Sequence, residues 1–168
     1  MSESQPSAKR TGFYPASARD YLEPLQLLKG WVDHMVFCDI WLVPQGRQPL
    51  RQLRETALED GLPEPSFLLG DALSAMSYLK PVDVFFLRGD SGGEGGSGLF
   101  LLGPERLPLT LSLIKPNGIL VADRATGLDW LPGLISGDHA QHRVGDRAIT
   151  FNEAQPWTAQ RLFAMTVA

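Results

Sequence analysis

The 168-residue chain has little of the side-chain chemistry that cross-links small folds or binds metals. It contains one cysteine, Cys38, so no disulfide can form within the chain. Its three histidines, His34, His139 and His142, are scattered, and no Cys/His spacing typical of a zinc site is present. Cys38 lies in an apolar run over residues 35–43, which predicts a small buried residue rather than a nucleophile. These absences exclude disulfide scaffolds and zinc modules, and they favour a reducing environment and a protein without a bound metal.

The chain also lacks an excess of basic residues and a long hydrophobic run. Its net charge of -4 and its pI near 5.3 argue against general nucleic-acid binding. No apolar run approaches the roughly 20 residues of a membrane span, and the polar N-terminus has no signal-peptide core. We therefore expect a cytoplasmic protein without membrane association, with a disordered tail over residues 1–11 and a single domain over residues 12–168.

Apolar segments typical of strands alternate with amphipathic segments typical of helices. Residues 82–87 (VDVFFL) are the strongest strand candidate, and the continuous apolar run over residues 35–43 is typical of a central strand buried on both faces. The predicted strands cover residues 12–16, 35–43, 66–69, 82–87, 118–122, 143–151 and 162–167, and the predicted helices cover residues 18–30, 49–60, 71–79 and 99–115. Ser17 is the predicted N-cap of the first helix, with Asp20 completing an approximate capping box. A turn over residues 115–118 is expected before the fifth strand.

This order of elements predicts an α/β domain with a Rossmann-like, mainly parallel sheet and helices on both faces. The last two strands are separated by about ten residues without a long helix, so we expect them to form a C-terminal antiparallel pair. Parallel sheets of this kind bind ligands beyond the carboxyl ends of their strands, near the point where the strand order reverses. We therefore expect the functional site of the chain at that edge of the sheet.

Small and acidic residues recur at the carboxyl ends of the predicted strands. Tyr14 to Asp20 follow the first strand, Asp39 lies inside the second, Gly70-Asp71-Ala72 follow the third, Arg88-Gly89-Asp90 follow the fourth, and Asp123 follows the fifth. Each aspartate taken singly is explained as a helix N-cap or a turn residue. Their recurrence at one edge of the sheet predicts a ligand site there.

Three segments resemble the class I S-adenosylmethionine-dependent methyltransferases, and the resemblance extends over nearly the whole domain. They are the strand at residues 82–87 with its polar loop, the segment over residues 115–123 (KPNGILVAD), and the terminal strand pair. The Lys-Pro-Asn-Gly turn is similar to the turn before that family's fifth strand. The resemblance implies a sheet with an antiparallel strand near one edge, S-adenosylmethionine as the cofactor, and methyl transfer to an unknown substrate.

The resemblance also implies which residues would bind the cofactor. In that family the loop after the first strand packs beside the methionine part, an acidic residue ending the second strand binds the ribose, and an acidic residue after the third contacts the adenine. By position, the cofactor-binding candidates are Tyr14, Ala16, Ser17, Ala18, Asp39, Asp71, Ala72 and Arg88. This chain departs from the family pattern in two places: its first loop has no glycine, and no Asp/Asn-Pro-Pro-aromatic motif follows the fourth strand. No catalytic residue is assigned.

The segment over residues 88–98 (RGDSGGEGGSG) contains two strings that match unrelated functions. Its GDSGG string matches the sequence around the nucleophile of trypsin-like serine proteases, but here it follows a parallel-type strand and no histidine stands in a matching context. Its RGD triplet is interpreted as a coincidence. The loop has two remaining interpretations: its amides cradle an anion or it closes as a lid, or it is a flexible connection.

Three functions remain open from the sequence. The first is a methyltransferase. The second is a non-catalytic module that kept the fold, lost the cofactor site, and binds a protein partner or a second copy of itself. It predicts an exposed apolar surface, with Trp130, Leu131 and Trp157 as candidates, although core packing is the alternative for each tryptophan. The third, ranked last, is a hydrolase using Ser17 or Ser91, for which no activating histidine is placed by the sequence.

Overall fold

The computed structural model describes residues 8–40, 47–90, 96–123, 130, 141–152 and 162–168. The strands within these ranges are β1 (Thr11–Pro15), β2 (His34–Asp39), β3 (Glu64–Leu69), β4 (Val82–Leu87), β5 (Ile114–Asp123), β6 (His142–Val144), β7 (Arg147–Asn152) and β8 (Leu162–Val167). The helices are α1 (Leu22–Leu27), α2 (Arg47–Glu59), α3 (Ala72–Met76) and α4 (Leu107–Ser112). The central strands β2 and β4 are built from aromatic and aliphatic residues, which suit a pleated sheet buried on both faces.

All of these strands belong to one sheet, in the order β3-β2-β1-β4-β5-β8-β7-β6. Strands β1 to β5 run parallel. Strand β8 pairs antiparallel with β5, and β7 pairs antiparallel with both β8 and β6. The predicted Rossmann-like, mainly parallel sheet with a C-terminal antiparallel strand pair is confirmed. The strand order reverses at β1, which lies between β2 and β4, so the crevice at its carboxyl end is the switch point.

Helices cover both faces of the sheet because successive strand side chains point to opposite sides. Phe13, Phe85 and Leu87 pack on one face with α3 and α4. Tyr14 and Phe86 pack on the other face with α1 and α2. The rings of Phe13 and Phe85 meet edge to face, with their centroids 5.6 Å apart. The predicted placement of helices on both faces is confirmed, and it explains why β4 is apolar along nearly its whole length.

The first helix is shorter than the predicted span over residues 18–30. It is α1, and its N-cap is Tyr21 rather than Ser17. Ala16 and Ala18 have positive φ angles of 50° and 48°, so the chain is still turning where the helix was predicted to begin. The predicted capping box is wrong because a helix cannot start within this turn.

The helix predicted over residues 99–115 is also shorter, and only α4 is helical. Pro108 stands in the first turn of α4, where its missing N–H leaves no helical bond unmade. Before α4 the chain makes tight turns, in one of which the Gly103 N–H donates to the Phe100 carbonyl at 2.9 Å. The predicted helix was too long at both ends. The spacing of apolar residues does not reveal the turns before α4, and it does not reveal that β5 begins soon after α4 and pairs with β4.

In the second half of the chain, one predicted turn and one predicted strand differ from the structure. Residues 115–118 belong to β5 instead of forming a separate turn, and the register with β4 is irregular there while Asn117 has a φ of 64°. The strand predicted over residues 143–151 is a hairpin of β6 and β7. Gly145, with a φ of 63°, supplies the conformation that this tight turn needs.

Asp39 is the last residue of β2. The prediction had placed it inside a strand over residues 35–43, and that placement is wrong because Ile40 is already in a turn. Residues 41–46, which contain the rest of the predicted strand, lie outside the described residues. The correction moves Asp39 to the carboxyl end of its strand, where this class of sheet binds ligands.

The described chain begins within the predicted N-terminal tail, of which residues 1–7 lie outside the described part. The Arg10 N–H donates to the Asp33 carboxylate at 2.8 Å, and Thr11 is the first residue of β1. Cys38 is buried, as predicted. In the ranges that the structure describes, no helix is long and apolar enough to cross a membrane, and no cluster of three or more metal-binding side chains occurs.

Gly118 and Gly12 form a matched pair for testing how closely the sheet is packed. A Cβ at Gly118 would lie 2.9 Å from the backbone oxygens of both Asp83 and Lys115, whereas the nearest atom at Gly12 would be the flexible Met35 Sδ at 2.5 Å. We expect Gly118→Ala to lower the free energy of unfolding by about 1–3 kcal/mol, because backbone atoms cannot move aside, and Gly12→Ala to cost less. Urea denaturation midpoints measure both changes. An equal loss at the two positions would contradict this account.

Candidate functional site

A cavity of about 300 Å³ opens at the carboxyl ends of β1, β2 and β3. Its size is at the lower end of the ~300–1,000 Å³ typical of small-molecule sites. Its described lining residues are Ala16, Ala18, Asp39, Ile40, Gly70, Asp71, Ala72, Gly96, Ser97 and Leu99. The wall therefore combines two carboxylates with small residues, exposed backbone and two aliphatic side chains. Such a wall suits a small organic ligand with hydrogen-bond donors and an apolar face.

The turn after β1 forms one wall of the cavity. Ala16 and Ala18 are held in the left-handed region, which costs a residue other than glycine roughly 1–2 kcal/mol. Two hydrogen bonds hold the turn to the end of β2. The Ser17 N–H donates to the Cys38 carbonyl at 3.1 Å, and the Ala18 N–H donates to Asp39 Oδ2 at 2.7 Å. These bonds stabilise a backbone conformation that alanine does not prefer.

The carboxylate of Asp39 lies at the end of β2 and is largely buried, with 6% of the residue exposed. Burial of the phenol, followed by the nearby charge of Asp39, raises the pKa of Tyr21 to about 12. Within the described part of the chain, the buried hydroxyls of Tyr21 and Ser17 have no hydrogen-bond partner. An unpaired buried hydroxyl costs about 1–3 kcal/mol, and such groups are rare in folded proteins unless a water or ligand satisfies them.

Asp71 follows β3 and is the N-cap of α3. Its Oδ1 accepts the Ser74 N–H at 2.8 Å, and this hydrogen bond holds the pKa of Asp71 below its usual value. The Gly70 N–H donates to the Asp39 carbonyl at 3.2 Å, which ties the ends of β3 and β2 together. Asp71 is therefore an ionised, oriented acceptor at a defined position on the cavity wall.

The base of the glycine-rich loop forms the opposite wall. Asp90 is 1% exposed, and its Oδ1 accepts the Ser97 hydroxyl at 2.6 Å and the Phe100 N–H at 2.7 Å. The Ser97 N–H also donates to the Gly89 carbonyl at 2.9 Å. This buried carboxylate closes the loop at its base and fixes the position of Leu99 at the cavity. Residues 91–95, at the centre of the loop, lie outside the described residues.

A separate group of polar and charged side chains lies at the carboxyl end of β4, beside β1. We call this group the Arg88 cluster, and its members are Tyr14, Asp20, Glu23 and Arg88. Arg88 Nη1 donates to Glu23 at 2.8 Å and to Asp20 at 3.2 Å, and Nη2 donates to Glu23 at 3.1 Å. The Tyr14 hydroxyl donates to Asp20 at 3.0 Å, and the guanidinium lies 5.5 Å above the Phe86 ring. Burial, followed by the charge of Asp20, raises the pKa of Tyr14 well above its usual value.

The eight predicted cofactor-binding residues fall into two groups. Those that line the cavity are Ala16, Ala18, Asp39, Asp71 and Ala72. Tyr14 is buried in the core under α1, with its hydroxyl directed to Asp20. Ser17 is buried between two lining alanines, and Arg88 belongs to the cluster at β4. The structure thus brings five of the eight candidates together at the cavity, and it places Tyr14 and Arg88 in the Arg88 cluster.

Five lining residues were absent from the predicted cofactor-binding set: Ile40, Gly70, Gly96, Ser97 and Leu99. Gly70 was expected after the third strand but was given no binding role. Ile40 follows Asp39 directly, but the apolar run continues past it and hides the end of the strand. The two loop residues were given no definite role, and Leu99 was assigned to a helix. The positions of Gly96, Ser97 and Leu99 depend on the buried Asp90, and the contacts of Asp90 cannot be predicted from a local sequence pattern.

The residues proposed for a hydrolase or for an apolar binding surface form no site in the part of the chain that the structure describes. Ser17 is buried, and no described histidine lines the cavity, which leaves the hydrolase without an activating base at this serine. Trp130 is 36% exposed rather than fully packed in the core, and its Nε1–H donates to the Leu102 carbonyl at 2.9 Å. Ser91, Leu131 and Trp157 lie outside the described residues.

The substitutions Ala16→Gly and Ala18→Gly test whether the turn after β1 is strained. Glycine relieves the cost of a positive φ but adds about 0.5–1 kcal/mol of backbone entropy, so we expect each change to raise the free energy of unfolding by up to about 1 kcal/mol. Thermal and urea denaturation measure the effect. The control is Ala148→Gly in β7, a strand position without a positive φ, which should lower stability by about 0.5–1 kcal/mol. Losses at residues 16 and 18 as large as at residue 148 would show that the turn is unstrained.

Of three comparisons with known proteins, the comparison with solved structures is the one that bears on the fold. No protein-family model matches the chain, and no curated protein matches it. An O-methyltransferase family protein from Burkholderia thailandensis is 14% identical with a TM-score of 0.52, over 95% of this chain and 51% of that one. A methyltransferase from Geobacter sulfurreducens is 14% identical with a TM-score of 0.50, over 95% of this chain and 70% of that one. TrmN from Thermus thermophilus is 18% identical with a TM-score of 0.48, and the chain spans 43% of its length. The chain has the fold of the class I S-adenosylmethionine-dependent methyltransferases, and it spans about half the length of the Burkholderia protein.

Proposed function

We propose that the cavity is an S-adenosylmethionine site that binds the adenosyl part of the cofactor, in a protein of methyltransferase-like function. The observation that carries this proposal is the position of Asp39 and Asp71, which end β2 and precede α3 on one cavity wall. Adenosine presents two kinds of donor, the ribose hydroxyls and the exocyclic amine, and each is matched by a separate carboxylate.

Asp39 has the chemistry of a ribose-binding residue. Its carboxylate is buried and oriented before a ligand arrives, because the Ala18 N–H holds it at 2.7 Å. Hydrogen bonds from a neutral hydroxyl to an ionised carboxylate are stronger than those between neutral groups.

The purine ring needs apolar contact on its faces and an acceptor at its edge. Ile40 and Leu99 both line the cavity, and Ile40 is 58% exposed. Covering such a side chain contributes about 25 cal/mol for each Å² removed from water. Asp71 stands on the same wall as an ionised acceptor for the amine.

We confine the proposal to cofactor binding and a methyltransferase-like role. No described lining residue is a His, Lys, Cys or Tyr that could deprotonate a methyl acceptor, and both lining carboxylates accept backbone N–H bonds.

Thermal denaturation with S-adenosylmethionine and S-adenosylhomocysteine tests the proposal. A ligand at 100 times its dissociation constant stabilises the folded state by about 2.7 kcal/mol, which corresponds to a Tm rise of about 5–10 °C. We expect Asp39→Asn and Asp71→Asn to weaken binding at least tenfold, because an amide presents a donor where the ligand's donor must bind. Asparagine still caps a helix well, so Asp71→Asn should leave the unliganded protein folded.

Asp60→Asn is the matched control, because Asp60 is exposed at the end of α2 and does not line the cavity. It should leave both the unliganded Tm and the ligand-induced shift unchanged. The proposal is wrong if neither ligand shifts the Tm of the wild-type protein at millimolar concentration. It is also wrong if the shift is the same in Asp39→Asn as in the wild type.

A further inference from the structure

Three large apolar side chains are exposed at the cavity, and we call Ile40, Leu69 and Phe100 the apolar rim. Their exposed fractions are 58%, 50% and 53%. Ile40 lines the cavity itself, and each of the other two is bonded to a lining residue, Leu69 to Gly70 and Phe100 to Leu99. Exposed apolar residues scattered singly are ordinary on a protein surface, whereas a group around one opening is typical of a binding surface.

Two members of the apolar rim lie at the ends of neighbouring strands. Leu69 is the last residue of β3, and its partner in the register with β2 is Asp39, which directly precedes Ile40. The Gly70 N–H donates to the Asp39 carbonyl at 3.2 Å, so the two strands stay joined where they end. The sheet itself therefore fixes this side of the apolar rim.

The backbone at Phe100 is held in an unusual conformation while its ring is exposed. Its φ of 50° is unfavourable for a bulky residue. Its N–H donates to Oδ1 of the buried Asp90 at 2.7 Å, and its carbonyl accepts the Gly103 N–H at 2.9 Å. Strained backbone conformations of this kind cluster at functional sites. A strained residue with an exposed ring beside a cavity points to a role for that ring in binding.

The chemistry of the cavity wall restricts what binds next to it. Among the described lining residues none is Lys, Arg or His, and two are the carboxylates Asp39 and Asp71. An anionic ligand would meet repulsion there without a cation to offset it. The cavity is also at the lower end of the size range of small-molecule sites, so an adenosyl group leaves little room inside it for another molecule. A second ligand therefore has the apolar rim as its contact surface.

We propose that the apolar rim binds an uncharged, largely apolar organic molecule beside the adenosyl site. The inference rests on the proposed function for the identity of the neighbouring ligand, and it adds the chemical class of a second one. The Phe100 ring offers a face on which a planar molecule stacks, and Ile40 and Leu69 offer aliphatic contact from the strand ends. Binding removes apolar surface of these three side chains from water, and this removal is its driving force.

Fluorescence titration with N-phenyl-1-naphthylamine, an uncharged apolar dye, tests the apolar rim. We expect saturable binding by the wild-type protein, and binding weaker by about fivefold or more in Phe100→Asn and in Leu69→Gln, because each loses apolar contact. Asparagine tolerates a positive φ, so Phe100→Asn removes the ring and keeps the backbone conformation. The matched controls are Tyr78→Asn and Leu58→Gln, at positions that are 66% and 50% exposed and do not line the cavity. Both should leave the Kd of the dye nearly unchanged.

Absence of saturable dye binding by the wild-type protein, or equal losses in the rim variants and the controls, would overturn the proposal. Excess S-adenosylhomocysteine should leave the dye bound, and its displacement would place the dye in the adenosyl cavity and contradict a second ligand. A dimer in light scattering that Leu69→Gln dissociates would assign the apolar rim to a second copy of the chain instead. Dye binding that depends on the apolar rim, in a protein whose Tm neither cofactor form shifts, would refute the proposed function and keep the apolar rim.

Discussion

The hydrogen bond from the Ala18 N–H to the Asp39 carboxylate is the contact on which the candidate site depends. It joins the turn after β1 to the end of β2, and it accounts for the orientation of a carboxylate that burial would otherwise destabilise. The same bond keeps Ala16 and Ala18 in the left-handed region, because the N–H can reach the carboxylate only if the chain turns sharply after β1. This one hydrogen bond therefore fixes both the backbone of the turn after β1 and the orientation of the Asp39 carboxylate.

The switch point contains a second set of acidic residues that is satisfied in a different way. Asp39 and Asp71 accept backbone N–H bonds on the cavity wall. Asp20 and Glu23, which follow the turn after β1, are paired with Arg88 instead. Backbone amides orient a carboxylate without cancelling its charge, whereas a guanidinium cancels it. The carboxylates at the ends of β2 and β3 therefore line the cavity, whereas Arg88, at the end of β4, is paired with Glu23 and Asp20.

The sequence predicted those parts of the fold in which local pattern and burial agree. The bounds of β4 and β8 were predicted to the residue, because each is a short apolar segment between polar or glycine-rich ones. The end of β2 was not, because the apolar run continues beyond Asp39 and the strand ends where its carboxylate binds a distant N–H. The position of Arg88 could not be predicted either, since its partner Glu23 is far away in the sequence and only the pairing of β1 with β4 brings them together.

The loop after β4 and the turn after β1 adopt the same backbone conformation with different residues. Gly89 and Gly98, in the loop after β4, have positive φ angles and nothing within 4 Å of a Cβ, so they serve the backbone conformation and not a close approach. The turn after β1 has the same backbone conformation at Ala16 and Ala18 but carries alanine there, and both residues line the cavity. Because the left-handed conformation is unfavourable for alanine, something must compensate locally, and the bonds to Cys38 and Asp39 do so.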